Sequence, residues 1–242
     1  EWKYPGKYSP INAFDDNNNM VADPQFAANS ITPGNTSLGT TATSTNPFIE
    51  NVSYKGAVDP SGTPWYDGWS FYSNLLEGNT NSDPLNTAGL TIVNITDGDL
   101  PTAPGMSVTW TNDNLYVLDG FVFVENGVTL NIEAGTIIQG KPGEAENSSA
   151  LIVARGGNIN AMGTASAPIV FTYEGDAGNS PATLRGQWGG LIILGNASLN
   201  SSPGESAIEG IPTNDTRGTY GGNEDDDNSG VLTYVSIRHG GT

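Results

Sequence analysis

The chain has 242 residues and is acidic and rich in turn formers, with 26 Asp and Glu against 8 Lys and Arg, 32 Gly and 15 Pro. A net charge of −18 argues against nucleic acid or anionic lipid as a partner, because both are held through Lys and Arg contacts. There is no cysteine, and no apolar run approaches the roughly 20 residues that span a bilayer, so disulfides, thiol nucleophiles and membrane insertion are not expected.

Residues 1–78 are predicted to form an irregular segment. Polar, turn-rich sequence is followed by an aromatic cluster, and the run "WSFYSNLLEG" is the best helix candidate in the segment. The high density of aromatic rings in this cluster predicts that the rings are buried, since each carries a large apolar area. The competing interpretation is a platform of Trp65, Tyr66 and Trp69 that stacks on sugar rings. Residues 79–89 are predicted to be a linker.

Residues 90–242 are dominated by short apolar runs that end in Gly, Asn-Gly or Asp-Gly, a pattern typical of short strands with tight turns. In "VTLNIE", Val128, Leu130 and Ile132 face one side and polar residues the other. The predicted strands are "LTIVNIT", "LYVLDG", "FVFVENG", "VTLNIEAG", "TIIQG", "ALIVARGG", "NINAMG", "PIVFTYEG", "GGLIILG", "AIEGI" and "VLTYVSIRHGG".

The strong strand starts at 128, 150, 169 and 191 are separated by 22, 19 and 22 residues. A period near 20 with several strands in each period indicates stacked coils, in which each coil buries its apolar face against the next. A β-sandwich or a propeller is the alternative. The period favours an all-β parallel solenoid. Its predicted inward ladders include Leu151, Val153, Ile159, Ile169 and Phe171, while Trp110 and Trp188 are predicted to cover corners.

The stretches "YVLDGFVFVENGVTLNIEAGTIIQGKPG", "SALIVARGGNINAMGTASAPIVFT" and "RGTYGGNEDDDNSGVLTYVSIRHGG" resemble a family of secreted right-handed parallel β-helix proteins. The resemblance covers residues 115–242. It implies the fold, an origin in Bacteroidota, a secreted or cell-surface location and type IX export. It brings no catalytic residues, because members of that family are largely uncharacterised.

"NVSYKGAVDP…WYDGWSFY" looks like the segment that closes a β-helix domain in the same family. A segment that resembles the end of one β-helix domain therefore precedes a segment that resembles the start of another. Both ends of the chain look like cuts within a longer sequence. This order predicts a piece of a longer polypeptide, with units in a tandem array or a rearranged single unit.

Two acidic stretches are candidate calcium sites. Glu224, Asp225, Asp226 and Asp227 are adjacent in "GGNEDDDNSG", and Ca²⁺ takes several carboxylate and carbonyl oxygens at once. Asp15 and Asp16 in "DDNNN" are a weaker candidate. The spacing does not match an EF-hand loop, so a solvated acidic loop is the competing interpretation, and Ca²⁺ is the one cofactor considered.

Catalytic candidates are few. Arg238 could serve as the base of a lyase near the acidic loop, and Glu209 is predicted to be the one acid within a strand. His239 is the sole histidine, which rules out a metal site built on several imidazoles within this chain. A structural ion pair for Arg238 and a hydrogen-bonded structural role for His239 are preferred, so no catalytic residue is assigned.

The sequence therefore favours a non-enzymatic extracellular protein with a structural or adhesive role. Its expected partners are neighbouring β-helix units or further copies of itself in a fibre, together with surface polysaccharide. The alternative is a polysaccharide-binding or polysaccharide-degrading lyase or hydrolase. Paired carboxylates beside exposed aromatic rings would favour the alternative. A groove lined by Asn, Thr and Ser would favour the structural role.

Overall fold

The computed structural model describes residues 25, 34, 51, 52, 54, 58–67, 69, 70, 85–181, 183–212 and 214–241. Contacts divide the chain into two compact units, Glu1–Asp67 with Leu75–Gly78 and Gly68–Asn74 with Asn79–Thr242. Most of the helix predicted in "WSFYSNLLEG" lies outside the described residues. Among the residues that are described, no helix is long and apolar enough to cross a membrane.

The second unit is built from short strands. Their bounds are β1 Thr91–Ile95, β2 Ser107–Trp110, β3 Asn114–Leu118, β4 Phe121–Val124, β5 Thr129–Ile132, β6 Ile137–Gly140, β7 Ala150–Val153, β8 Asn158–Met162, β9 Ile169–Tyr173, β10 Gly190–Ile193, β11 Glu205–Ala207, β12 Thr219–Gly221, β13 Gly230–Thr233 and β14 Val235–Ile237. Three short 3₁₀ helices, Asp97–Asp99, Ala145–Asn147 and Thr216–Gly218, lie between them.

The strands form three parallel sheets that the chain visits in turn. Sheet A has the order β1-β3-β6-β9-β14, sheet B the order β13-β8-β5-β2, and sheet C the order β10-β7-β4. Each circuit runs from sheet B to sheet A to sheet C and stacks on the circuit before it. This is a right-handed parallel β-helix, as the sequence predicted. Strands β11 and β12 pair antiparallel outside it.

The register gives the length of one circuit. Ser107 pairs with Thr129 and Leu115 with Ile137, so the shortest circuit is 22 residues. The predicted period was close to this value, although the strand starts that suggested it belong to different sheets. Longer circuits contain inserts. Phe121 pairs with Ala150, 29 positions on.

Like residues stack in columns inside the solenoid. Leu130 lies beside Ile159 in sheet B, and Leu151 lies beside Val122 and Leu191 in sheet C. The predicted inward residues are all fully buried in one cluster: Leu151, Val153, Ile159, Ile169 and Phe171. Burial of such columns is the main stabilising contribution of a stacked coil, because no single coil can bury its own apolar face.

Glycines stack at the corner that leads into sheet B. The Gly105 N–H donates to the Gly127 carbonyl at 2.7 Å, and the Gly127 N–H donates to the Gly156 carbonyl at 2.9 Å. All three have positive φ, at 84°, 76° and 80°. A side chain is disfavoured in this conformation, which is why the predicted strands end in Gly here.

Several predicted strands need correction. "AIEGI" is not a strand, because β11 ends at Ala207 and Glu209 lies in an exposed turn. "VLTYVSIRHGG" is not one strand but two, since Tyr234 adopts a φ of 48° and sends β13 and β14 to different sheets. Strand β2, "SVTW", was missed, although Met106, Val108 and Trp110 alternate with polar residues in "MSVTWT".

The two tryptophans assigned to corners belong to the interior cluster. Trp110 stacks on Tyr116 with ring centroids 4.7 Å apart. Trp188 is completely buried, lies nearly parallel to Phe171, and donates its indole N–H to the Arg238 carbonyl at 2.8 Å. Gly140 makes room for Trp188, because a Cβ at Gly140 would lie 2.7 Å from the indole Cε3.

We therefore expect Gly140→Ala to lower the free energy of unfolding by about 1–3 kcal/mol, as overpacking of a closed core does. Urea unfolding followed by tryptophan fluorescence measures this. The matched control is Gly98→Ala, where nothing lies within 4 Å of the added Cβ. Equal stability of the two variants would contradict the packing of Trp188 against Gly140.

Candidate functional site

The outer face of sheet A is covered by the chain itself. Leu115, Val117 and Ile137 point out of the solenoid but are buried, and Leu85 and Leu90 pack against them. The covering segment is held by a hydrogen bond from the Leu85 N–H to the Ala177 carbonyl at 3.1 Å. Residues 85–89 of the predicted linker therefore contact the solenoid, and residues 79–84 lie outside the described part of the chain.

A buried carboxylate fixes the loop beside this face. Asp176 is only 3% exposed and accepts hydrogen bonds from the Thr172 and Ser180 hydroxyls at 2.7 and 2.8 Å and from the Gly178 N–H at 2.9 Å. Burial by itself would raise the pKa of Asp176, but these donors and the nearby His239 outweigh it and lower that pKa. Asp176 is thus held as a charged structural group.

The outer face of sheet C is covered by the insert, residues 195–229 between β10 and β13. Outward side chains of β4, β7 and β10 form a second hydrophobic cluster with side chains of the insert. Its members are Phe121, Phe123, Ala150, Ile152, Ala154, Ile192, Leu194, Ile208, Ile211 and Tyr220. This face is therefore buried beneath the chain's own insert.

Arg217 ties the insert back to the first circuit. Its guanidinium lies over the Phe123 ring, 3.8 Å from the centroid. It donates to Asp215 at 2.6 Å, to Asp97 at 2.9 Å and to Glu125 at 3.1 Å. The pKa of Asp215 is lowered, mainly by the hydrogen bond from Arg217, and the pKa of Arg217 is raised by the same pair. Three carboxylates thus converge on one cation.

The outer face of sheet B is the exception. Alternation places Leu130, Ile132, Ile159 and Ala161 in the core, so their neighbours along β5 and β8 point outward. No hydrophobic cluster among the described residues includes an outward side chain of this sheet. We call this surface the open face. Its polar members are Ser107, Thr109, Thr129, Asn131, Asn158 and Asn160.

The side chains that β2, β5 and β8 direct outward are uncharged and regularly spaced. Each strand contributes two polar side chains about 7 Å apart, and neighbouring strands repeat them about every 4.8 Å. Asn160 donates its amide to the Asn131 side chain at 3.1 Å, and Asn158 donates to the Asn228 carbonyl at 3.2 Å. Within the described part of the chain, no hydrogen bond engages the side chains of Ser107, Thr109 and Thr129.

The carboxylates of the acidic loop, residues 224–227, do not converge on a common position where a cation could bind. Asp227 accepts from the Asn196 N–H at 3.1 Å, and Asp225 accepts from the Ser198 N–H at 3.0 Å. The hydrogen bonds from Ser198 lower the pKa of Asp225. Among the described residues, no group of three or more Asp, Glu and His side chains could hold a metal ion. Glu224 and Asp226 are exposed, and Asp15 and Asp16 lie outside the described residues. Calcium binding stays a prediction.

The catalytic candidates do not meet. Arg238 is buried and its Nε donates to the Ser236 hydroxyl at 3.1 Å, which is consistent with a structural role. His239 bonds the Leu184 carbonyl through Nδ1 at 2.8 Å, and its Nε2 lies 3.9 Å from Asp176. Glu209 is exposed in its turn. These residues form no common site with the acidic loop.

The predicted aromatic platform falls in two different units. Trp65 is 63% exposed and Tyr66 is buried, with their rings edge to face at 5.8 Å in the first unit. Trp69 belongs to the second unit, where its ring meets Tyr234 edge to face at 5.0 Å. A ligand platform made of Trp65, Tyr66 and Trp69 stays a prediction.

A cleft of about 450 Å³ lies beside the segment that covers sheet A. Its lining has no charged side chain, and its polar groups include the Asn112 and Asn86 amides. Asn112 already donates to the Ala134 carbonyl at 3.0 Å. The cleft therefore has the volume of a binding site, but its lining brings no charged side chains together.

Sequence reasoning missed Arg217 and the open face. No spacing in the sequence could show that Asp97 and Glu125 reach the same guanidinium as Asp215, since they lie 120 and 92 positions from Arg217. The open face did have a signal: a polar residue flanks each inward apolar residue in "SVT", "TLN" and "NIN". Only the register of β2, β5 and β8 shows that these polar residues form one surface.

Comparison with known proteins finds one family. Residues 102–242 match the family model described as a pectate-lyase-like beta helix domain. Neither the curated proteins nor the solved structures contain a match. The matched region holds all of sheets B and C.

Arg217 joins the insert to Asp97 and Glu125, and Arg155 joins it through Glu205. We expect Arg217→Met to lower the free energy of unfolding by about 1–3 kcal/mol and to speed amide exchange in the insert, because it leaves three carboxylates unpaired. Hydrogen–deuterium exchange and urea unfolding measure this. Lys141→Met, which removes the exposed ion pair with Asp119, is the matched control and should change little. Equal effects of both variants would contradict the assignment.

The calcium hypothesis has a direct test. A cation that binds only the folded state stabilises it by RT ln(1 + [L]/Kd) and so raises the melting temperature as its concentration increases. We expect the same melting temperature in millimolar Ca²⁺ and in chelator, because Asp225 and Asp227 are engaged by backbone N–H groups. A clear rise with Ca²⁺ that Asp226→Asn abolishes would instead establish the acidic loop as a calcium site.

Proposed function

The chain belongs to the family of pectate-lyase-like β-helix domains, and from this premise we propose that it is a non-catalytic structural or adhesive module of an extracellular surface protein. The family fits either a surface role or action on polysaccharides. The choice between them rests on where the charged groups are and on what the uncovered surface offers.

The state of the carboxyl groups supports the non-catalytic role. A glycoside hydrolase needs a general acid whose pKa is raised, close to a second carboxylate. Every described carboxyl group whose pKa departs from its ordinary value has that pKa lowered: Asp59, Asp99, Asp176, Asp215 and Asp225. These groups act as charged hydrogen-bond acceptors that hold loops in place.

The open face is the observation that carries the proposal. Two faces of the solenoid are covered by the chain's own segments, and the third presents hydroxyl and amide groups without a charged side chain on the described strands. Lyase chemistry that uses Ca²⁺ needs acidic ligands and a base on the surface that meets the polymer. A neutral surface suits attachment instead.

Location and assembly form part of the proposal. The resemblance of residues 115–242 to exported Bacteroidota β-helix proteins supports secretion to the cell surface and type IX export. The last circuit, formed by β10, β13 and β14, exposes the inward-column residues Ile193, Leu232 and Ile237 by 39–49%. Exposed edge strands with apolar side chains favour pairing, which supports contact with neighbouring β-helix units or self-association.

The test is turnover. We expect no unsaturated product from polygalacturonate with Ca²⁺ and no new reducing ends from a panel of neutral polysaccharides, because Arg238, His239 and Glu209 form no common site with the acidic loop. Absorbance of the unsaturated uronide and a reducing-end assay measure this, with an active polysaccharide lyase as positive control. Sustained turnover that a carboxylate substitution abolishes would overturn the proposal in favour of a polysaccharide-degrading enzyme.

A further inference from the structure

We propose that Trp69 makes an autoinhibitory contact: packed against Tyr234, it keeps the last circuit of the solenoid from pairing with the last circuit of a second copy. The surface concerned is the edge formed by β10, β13 and β14, which we call the exposed edge. This proposal rests on the self-association proposed above and identifies the contact that restrains it.

The exposed edge carries the inward columns into solvent. Ile193, Leu232 and Ile237 lie beside fully buried inward residues of the circuit before, yet they are themselves 39–49% exposed. The three strands, "GLII", "GVLT" and "VSI", carry no charged side chain and no proline, which are common means of preventing edge strands from pairing. The exposed edge therefore pairs readily unless something else obstructs it.

The opposite end of the solenoid is closed. Leu100 is 4% exposed and belongs to the interior cluster, and the 3₁₀ helix Asp97–Asp99 before it packs on β4, the edge strand of sheet C at that end. Arg217 of the insert pairs with Asp97 and holds this helix. Because the first circuit is covered in this way, the matching surface for the exposed edge is the same edge of a second copy. Such a contact is isologous and closes as a two-fold dimer.

Trp69 packs at the corner of the exposed edge. Its ring meets the Tyr234 ring edge to face, with centroids 5.0 Å apart, although Trp69 lies 165 positions before Tyr234 in the sequence. Tyr234 joins β13 to β14, and its carbonyl accepts the Ile169 N–H of the previous circuit at 3.0 Å, which fixes the corner. Paired strands lie about 4.8 Å apart, so an indole at this corner occupies space that the strands of a second copy need.

The oligomeric state tests this contact. We expect the 242-residue chain to sediment as a monomer at micromolar concentration. Trp69→Ala should strengthen dimerisation at least about tenfold, which corresponds to 1.4 kcal/mol. Tyr234→Asn removes the other ring but keeps a residue that tolerates positive φ, and it should have the same effect. Analytical ultracentrifugation over a concentration series measures the dissociation constant. The matched control is Trp65→Ala, because Trp65 is 63% exposed and belongs to the first unit.

A second pair of substitutions locates the dimer contact. In the Trp69→Ala chain, Leu232→Glu places a charge on the exposed edge and should restore the monomer, because edge strands with an inward-pointing charge resist pairing. Ile92→Glu is its matched control: Ile92 is 63% exposed on β1 at the closed end, so the dimer should persist. Amide exchange in β10, β13 and β14 should slow in the dimer, since their edge N–H groups acquire partners. Melting curves confirm that each variant folds.

Several results would overturn the proposal: a monomer for both Trp69→Ala and Tyr234→Asn, an equal shift for Trp65→Ala, or a dimer that Leu232→Glu leaves intact. If the unchanged chain already dimerises through the exposed edge as tightly as the variants, the self-association stands and the autoinhibitory role of Trp69 fails. If no form of the chain associates, the restraint and the self-association fail together, while the non-catalytic role is judged separately by the turnover assay.

Discussion

In-register parallel stacking of the strands is the constraint on which the rest of this structure depends. It aligns Leu130 with Ile159 and Val122 with Leu151, so each inward position continues a column that one circuit could not bury alone. The same register aligns outward positions, whatever their chemistry. A surface that repeats every strand is therefore a consequence of the packing of the core, and it exists wherever nothing covers it.

The two covered faces show how the chain uses its inserts. Residues 85–90 lie over sheet A, and the insert lies over sheet C, where Arg217 reaches Asp97 and Glu125 in the first circuit. Ion pairs and hydrogen bonds hold these layers, while apolar contacts beneath them provide most of the burial. Among the described residues, Asp97, Glu125, Asp176 and Asp215 thus hold loops in place, and no outward side chain of sheet B belongs to a hydrophobic cluster.

Much of the fold could be predicted, because alternation and glycine corners are local properties of the sequence. The columns of Leu151, Ile159 and Phe171 followed from alternation alone. Trp188 did not, since its burial depends on Gly140, which lies in another circuit and is 48 positions earlier in the chain. The split of "VLTYVSIRHGG" was missed for a different reason: Tyr234 adopts a positive φ that favours glycine, which no local pattern indicates.

The sequence by itself determined the class of fold, the acidic charge and a period near 20 residues, because strand alternation, charge and turn chemistry act over a few neighbouring residues. Only the tertiary structure decided which faces stay open and which carboxylates meet a cation. Asp97, Glu125 and Asp215 converge on Arg217 across as many as 120 positions, and Thr109, Asn131 and Asn160 become neighbours through register. Such contacts depend on how whole circuits stack, which is a property of the folded chain and not of any short stretch of it.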